Sequence, residues 1–144
     1  MFDIITLGGA TIDSFLDTNV HNHFIGKMNE ICYPLGAKLR INKVETFTGG
    51  GGSNAAVAFA RLGLKTGFLG NIGNDFNGKL ILDELKKEKI KFLGTLSKDM
   101  TDFSMILDSK GKDRTVLTYK DASGKLQFNK IRKNFKTRWY YFSS

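Results

Sequence analysis

Residues Gly49 to Gly52 form an unbroken glycine run that empties through Ser53 and Asn54 into the apolar stretch Ala55-Ala56-Val57-Ala58-Phe59-Ala60. Glycine has no Cβ, so the backbone there can come very close to a ligand. A helix starting at this point presents unpaired N–H groups and a positive dipole end, which suit polar or anionic groups held by main chain. Ser53 or Asn54 is expected as the N-cap, and Gly63 as the C′ residue that stops the helix. A flexible Gly-Ser linker is the plainer reading, but linkers do not run straight into a buried helix with both caps written in. The second chemical candidate is Asp13, expected just beyond the C-terminal end of a first strand. Ligands of open α/β sheets bind at that end, and a carboxylate there accepts hydrogen bonds from substrate hydroxyls.

Other patterns carry less. Gly50-Gly51-Gly52-Ser53-Asn54-Ala55 satisfies the loose dinucleotide pattern G-x-G-x-x-A. Its first strand, however, lies far upstream, and the next strand ends Asn71-Ile72-Gly73 with no acidic residue for a ribose. Gly73-Asn74-Asp75-Phe76-Asn77-Gly78-Lys79-Leu80 misses a Walker A loop only at Leu80, where a Ser or Thr would bind Mg²⁺. Gly78 also belongs to a packed helical stripe, so a helix entrance accounts for this segment better. His21-Asn22-His23 has poor metal spacing and no thiol or carboxylate cluster to support it. There is no nucleophile elbow, no His-Glu-x-x-His and no Cys-x-x-Cys.

The elements that must position the glycine run and Asp13 follow from periodicity. Asp3-Ile4-Ile5-Thr6-Leu7-Gly8 reads as a buried strand. Residues 14–47 read as loop and strand outside the main core, with an extended candidate at Leu39-Arg40-Ile41. A helix follows the glycines to Gly63, and Thr66 to Gly73 reads as a second core strand. From about Asp75 a second helix carries Gly78, Ile81, Leu82 and Leu85 at i, i+3, i+4, i+7. Phe103-Ser104-Met105-Ile106-Leu107 and Arg114-Thr115-Val116-Leu117-Thr118-Tyr119 flank turn chemistry at 108–113, a β-hairpin. Phe128 to Phe135 suggests a short helix, and Trp139-Tyr140-Tyr141-Phe142 a final apolar strand. Alternating strands and helices predict a parallel α/β sheet. The two polar β excursions are expected to pair as a small lid sheet.

A chain of 144 residues with 41% hydrophobic content is one domain's worth of globular protein. No apolar run approaches the roughly 20 residues needed to span a bilayer. Met1-Phe2-Asp3 shows no basic leader, and Cys32 stands alone, so a cytoplasmic setting fits. The net charge of +8 gathers late, in Lys125, Lys130, Arg132, Lys133, Lys136 and Arg138. Without aromatic interleaving or zinc-finger spacing, a solvated face is favoured over a nucleic-acid patch. A missing acidic partner segment is a third explanation.

Together these residues resemble the N-terminal half of ribokinase-like carbohydrate kinases, the phosphofructokinase-B family. The likeness rests on Gly8-Gly9-Ala10-Thr11-Ile12-Asp13, on Gly49-Gly50-Gly51-Gly52-Ser53-Asn54 leading into Ala-Val-Ala-Phe-Ala-Arg-Leu-Gly, and on Phe68-Leu69-Gly70-Asn71-Ile72-Gly73-Asn74-Asp75 with Gly78. It implies the N-terminal part of a three-layer α/β/α sheet with a small β lid. The expected core is 1–13, 48–92 and 125–144, and the expected lid segments are about 14–47 and 95–122. It implies γ-phosphoryl transfer from ATP, brought with Mg²⁺, to a hydroxyl of a sugar or nucleoside. Asp13, Gly50, Gly51 and Asn54 would hold the substrate hydroxyls. Arg114 and Lys120 would reach the substrate from the lid region, and the lid could also form a homodimer contact.

The resemblance also has a gap. The family's second signature, Asp-Thr-x-Gly-Ala-Gly-Asp, supplies the catalytic base and a backbone anion hole. None of the ten aspartates here sits in such a loop. Phosphoryl transfer depends on positioning and charge stabilisation, so this stretch is expected to be inactive alone, with no catalytic residue and its ATP-binding half missing in cis or in trans. A non-catalytic sugar-binding or assembly module and a Rossmann-type dinucleotide binder are the alternatives.

Overall fold

The structure, a computed structural model, describes residues 1–18, 23–25, 28–30, 32–108, 113–127, 129, 131 and 135–143. In chain order the elements are β1 (Phe2–Leu7), β2 (Thr11–Asp17), β3 (His23–Ile25), β4 (Met28–Glu30), β5 (Lys43–Gly49), α1 (Gly51–Arg61), β6 (Thr66–Leu69), β7 (Asn71–Gly73), α2 (Phe76–Lys87), β8 (Lys91–Phe92), β9 (Thr95–Ser97), β10 (Asp102–Asp108), β11 (Arg114–Tyr119), a 3-10 turn (Ser123–Lys125) and β12 (Thr137–Phe142). They fall into two compact units. Unit 1 comprises Met1–Ile12, Thr48–Phe103 and Tyr119–Ser144, and unit 2 comprises Asp13–Phe47 and Ser104–Thr118.

Unit 1 is built on a parallel sheet of order β12-β1-β6-β8. Alternation along a strand sends successive side chains to opposite faces. On one face Phe68, fully buried, joins Ala56 of α1 and Ile81 and Leu85 of α2, with Ile12, Ile72 and Ile90. Ile5, Leu7 and Leu69 turn the other way, onto Ile131 with Leu126 and Phe135. Burying one such side chain contributes roughly 1.5–3 kcal/mol, so the two clusters fix which face each strand presents. Thr6 is also fully buried in β1, yet its hydroxyl has no partner among the described residues. The other principal sheet has the order β11-β10-β2-β5 and draws strands from both polar excursions. On it Phe15 and Phe47 meet edge to face at 5.8 Å. β3 pairs antiparallel with β4, and β7 pairs parallel with β9.

Both helices end as the sequence chemistry requires. At α1, Gly63 N–H bonds Ala60 C=O and Leu64 N–H bonds Phe59 C=O, with Gly63 at φ 87°. This is a Schellman motif, and it bears out Gly63 as the stop. α2 closes the same way through Lys89 and Ile90, but Lys89 occupies the left-handed position at φ 58°. The α2 N-cap is Asp75, whose carboxylate accepts from Gly78 N–H at 2.7 Å, Thr101 N–H at 2.8 Å and the Thr101 hydroxyl at 2.6 Å. Partial burial works against its ionisation. The bonds from Thr101 and Gly78 outweigh that effect and hold the carboxyl below its ordinary range.

Several expectations are corrected. The core strand expected over Thr66 to Gly73 breaks at Gly70: β6 stays in the main sheet while β7 leaves to pair with β9. Leu39-Arg40-Ile41 is not a strand; the extended segment begins at Lys43, where β5 joins the second sheet. The short strands β8 and β9 had no sequence signal, since two or three residues are too few for a period to show. The tip of the expected hairpin (109–112) and much of the expected 128–135 helix lie outside the described residues.

Two substitutions test this account. Asp75→Ala is expected to cost about 1–2 kcal/mol, the worth of a cap, measured by urea denaturation. The folded-state pKa is depressed, so this contribution is complete above the ordinary carboxyl value of 3.8 and is lost as pH falls through the lower folded value. The gap between wild type and variant must therefore close in acid. Thr6→Val, which removes a buried unpaired hydroxyl, is expected to raise stability by about 1 kcal/mol; a lower urea midpoint would show that the hydroxyl is satisfied.

Candidate functional site

The glycine run is placed where two stretches of backbone meet. A Cβ on Gly52 would lie 2.8 Å from N, Cα and C of Gly8, and one on Gly50 would lie 2.5 Å from Gly9 O and 2.6 Å from Ala10 Cα. Gly50 also stands at φ 97°, in the left-handed region. Gly52 N–H and Ser53 N–H both bond the Gly9 carbonyl, at 3.1 and 3.3 Å. The first turn of α1 is therefore fastened directly onto the loop that leaves β1.

This contact corrects the expected cap. The N-cap is Gly50, with no side-chain cap bond. Ser53 lies inside the helix, and its hydroxyl donates back to the carbonyls of Gly49 (2.5 Å) and Gly50 (3.0 Å). A capping side chain has no amide left to serve, because the Gly9 carbonyl already takes two of them. The same bonds limit what the helix end can offer a ligand. Gly51 N–H keeps no partner among the described residues, and the exposed Asn54 side chain makes no hydrogen bond there.

The other predicted site residues are distributed between the units. Lys120 belongs to unit 1, with Gly50, Gly51 and Asn54, while Asp13 and Arg114 belong to unit 2. Asp13 lies beyond the end of β1, as expected, but as the third residue of β2, because the chain re-enters a strand at Thr11. It is half-buried, and Arg114 opens β11, exposed.

Sequence reasoning missed the groups that hold the segment carrying Lys120. Asp102, buried, accepts from Asp121 N–H at 3.0 Å, Ser123 N–H at 3.1 Å and the Ser123 hydroxyl. Asn71, also buried, donates to Ala122 C=O at 2.7 Å and accepts from the Thr95 hydroxyl at 2.7 Å. Outside them Lys125 bridges Asp121 and Asp99, which raises its own pKa and lowers both of theirs. Asp102 belongs to no motif that the sequence displays, and Asn71 stands in the Phe68 to Asp75 run without a role of its own. A lone Asp at a strand start carries no signal without knowledge of what packs over it.

Among the described residues no group of three or more His, Cys, Asp or Glu could hold a metal ion.

The architecture and the glycine turn are those of a sugar-kinase fold, and comparison with known proteins agrees. Residues 12–143 match the pfkB family of carbohydrate kinases, and the chain belongs to that family. It is similar to 5-dehydro-2-deoxygluconokinase of Clostridium perfringens, with 36% identity over 62% of this chain and 22% of that protein. The enzyme of the same name from Geobacillus thermodenitrificans is 31% identical over 74% of this chain and 32% of its own length. In structure it is similar to the Methanocaldococcus jannaschii nucleoside kinase, an archaeal member of the ribokinase family. The TM-score there is 0.71, with 19% identity over 99% of this chain and 44% of that one. Thermotoga maritima ribokinase gives a TM-score of 0.67 over 85% and 37%. The fold is thus the N-terminal part of a ribokinase-like α/β fold, and the chain spans between 22% and 44% of the length of these relatives.

Gly52→Ala is expected to destabilise the chain by about 1–3 kcal/mol, since a methyl group there must push backbone and not a side-chain tip. A thermal midpoint equal to wild type would show that the α1 turn does not rest on Gly8.

Proposed function

We propose that this chain is the substrate-binding part of an ATP-dependent carbohydrate or nucleoside kinase that transfers the γ-phosphoryl group to a substrate hydroxyl. The observation that carries the reading is the glycine turn fastened to the β1 exit, in a chain whose family match runs over residues 12–143. Asn54 and the Gly50–Gly51 backbone meet substrate hydroxyls through the Asn54 carboxamide and main-chain amides not taken by Gly9, a donor and acceptor set suited to vicinal hydroxyls. Asp13 accepts hydrogen bonds from further substrate hydroxyls, and Arg114 and Lys120 supply positive charge toward an acidic or phosphorylated substrate. The names of the curated relatives, which include 2-dehydro-3-deoxygluconokinase and ribokinase, favour keto-sugar acids and pentoses as the first substrates to try.

The 144 residues hold no Gly-Ala-Gly-Asp, so no proton-abstracting residue is assigned within them. A further polypeptide surface against the sheet is supported by β12. It ends the sheet, and Trp139 and Phe142 there are 71% and 73% exposed. Edge strands that carry such side chains are normally covered. That surface belongs to the rest of the kinase, in cis or in trans.

The purified 144-residue chain is expected to bind 2-keto-3-deoxygluconate or ribose weakly and to release no ADP in their presence. Asn54→Ala should weaken the sugar affinity by roughly fivefold to tenfold, the worth of one hydrogen bond, while leaving the unfolding midpoint unchanged. Sugar-dependent ADP release would refute the assignment of catalysis to residues outside this stretch. Unaltered binding by the variant would remove Asn54 from the site.

A further inference from the structure

The C-terminal end of α2 and the strand after it enclose a shallow groove of about 380 Å³, away from the glycine turn and lined by none of the site residues. Leu82, Leu85, Ile90 and Phe92 form its floor. Leu85 and Ile90 are recessed, at 2% and 5% exposure. Lys86, Lys89 and Lys91 form its rim, all exposed. None of the three has an ion-pair partner among the described residues. The nearby Glu84 is engaged by Lys87 at 3.5 Å, and Glu88 is gripped by Arg61 through Nε at 3.1 Å to each oxygen. The rim is therefore three uncompensated positive charges around an apolar floor.

Two further features single out this place. Lys89 holds the left-handed position that closes α2, where glycine would sit without strain. Among the described residues it is the one non-glycine residue at positive φ, an outlier of the kind that motivates a search for use. β8 also ends its sheet: among the described residues no strand lies beyond Lys91 and Phe92 in the order β12-β1-β6-β8. An extended segment can add to such an edge by main-chain bonding, with alternate side chains read by pockets.

We propose that this groove docks an extended acidic segment of a partner protein, which seats an apolar side chain on Leu85 and Ile90 while its carboxylates meet Lys86, Lys89 and Lys91. Charge complementarity sets the sign of the partner. The recessed floor sets its class: a concave apolar surface accepts a protruding side chain, whereas insertion into a membrane needs apolar groups that project. The proposal is independent of the kinase reading, since it uses none of the substrate-site residues.

The test is a ¹⁵N-HSQC titration of the 144-residue chain with a short synthetic peptide of alternating Glu and Leu, against an all-Glu peptide of the same length. The expected result is shifts confined to residues 82–92, an affinity that falls with added salt, and roughly tenfold weaker binding by the Lys86→Gln/Lys89→Gln/Lys91→Gln variant. Lysine-to-glutamine changes at exposed positions leave the fold intact, which the same spectra confirm. Three results overturn the proposal: no shifts at millimolar peptide, equal binding of the all-Glu peptide, or association with phosphatidylserine vesicles in place of peptide binding.

Discussion

The backbone of Gly52 lies against the backbone of Gly8, and the Gly9 carbonyl takes two amides from the start of α1. With the helix this close, its first turn and the β1 exit form one piece of main chain. The contact fixes the start of α1 over β1, and hence where Ala56 enters the core. It also settles which donors remain for a ligand. A helix N-terminus in isolation offers four amides; here the packing that positions the helix spends two of them on protein. The Gly51 amide is among those left without a protein partner in the described residues.

Around that contact the structure relies on buried carboxylates and amides where the chain has no regular structure to hold it. Asp75 ties the start of α2 to Thr101, Asp102 ties Asp121 and Ser123, and Asn71 ties Ala122. Each group accepts or donates more than one bond, so each replaces the backbone pairing that a loop lacks. The hydrophobic clusters on either face of the parallel sheet set the layer order. These polar groups set the path between layers, including the path of the segment that carries Lys120.

Much of the fold was legible in residue pattern. The stripe Gly78, Ile81, Leu85 gave α2 and its buried face, Asp75 and Gly63 marked helix ends, and the Trp139–Phe142 run gave the last strand. Those signals are local, because periodicity and capping are read within one or two turns. The failures were non-local. Ser53 carries the right side chain for a cap, but its amide is taken by a carbonyl from residue 9. Thr66 to Gly73 is apolar enough for one strand, yet pairing partners pull its halves into different sheets. Asp13 is expected just beyond the end of the first strand, and nothing in Gly8-Gly9-Ala10 announces that a new strand begins at Thr11 and takes it in.

For the candidate site, the sequence by itself determined the residue types: a turn without side chains, a carboxamide one step into the helix, a carboxylate after the first strand, and the absence of the family's catalytic loop from these 144 residues. The resemblance those residues carry agrees with the match of residues 12–143 to the pfkB family. Only the tertiary structure decided which of the turn's amides are free, that Gly50 and not Ser53 caps the helix, and that Asp102 and Asn71 hold the Lys120 segment. The reason is that a hydrogen-bonding group has one set of partners in the folded chain. Which groups remain for a ligand depends on what packs against them from elsewhere in the sequence.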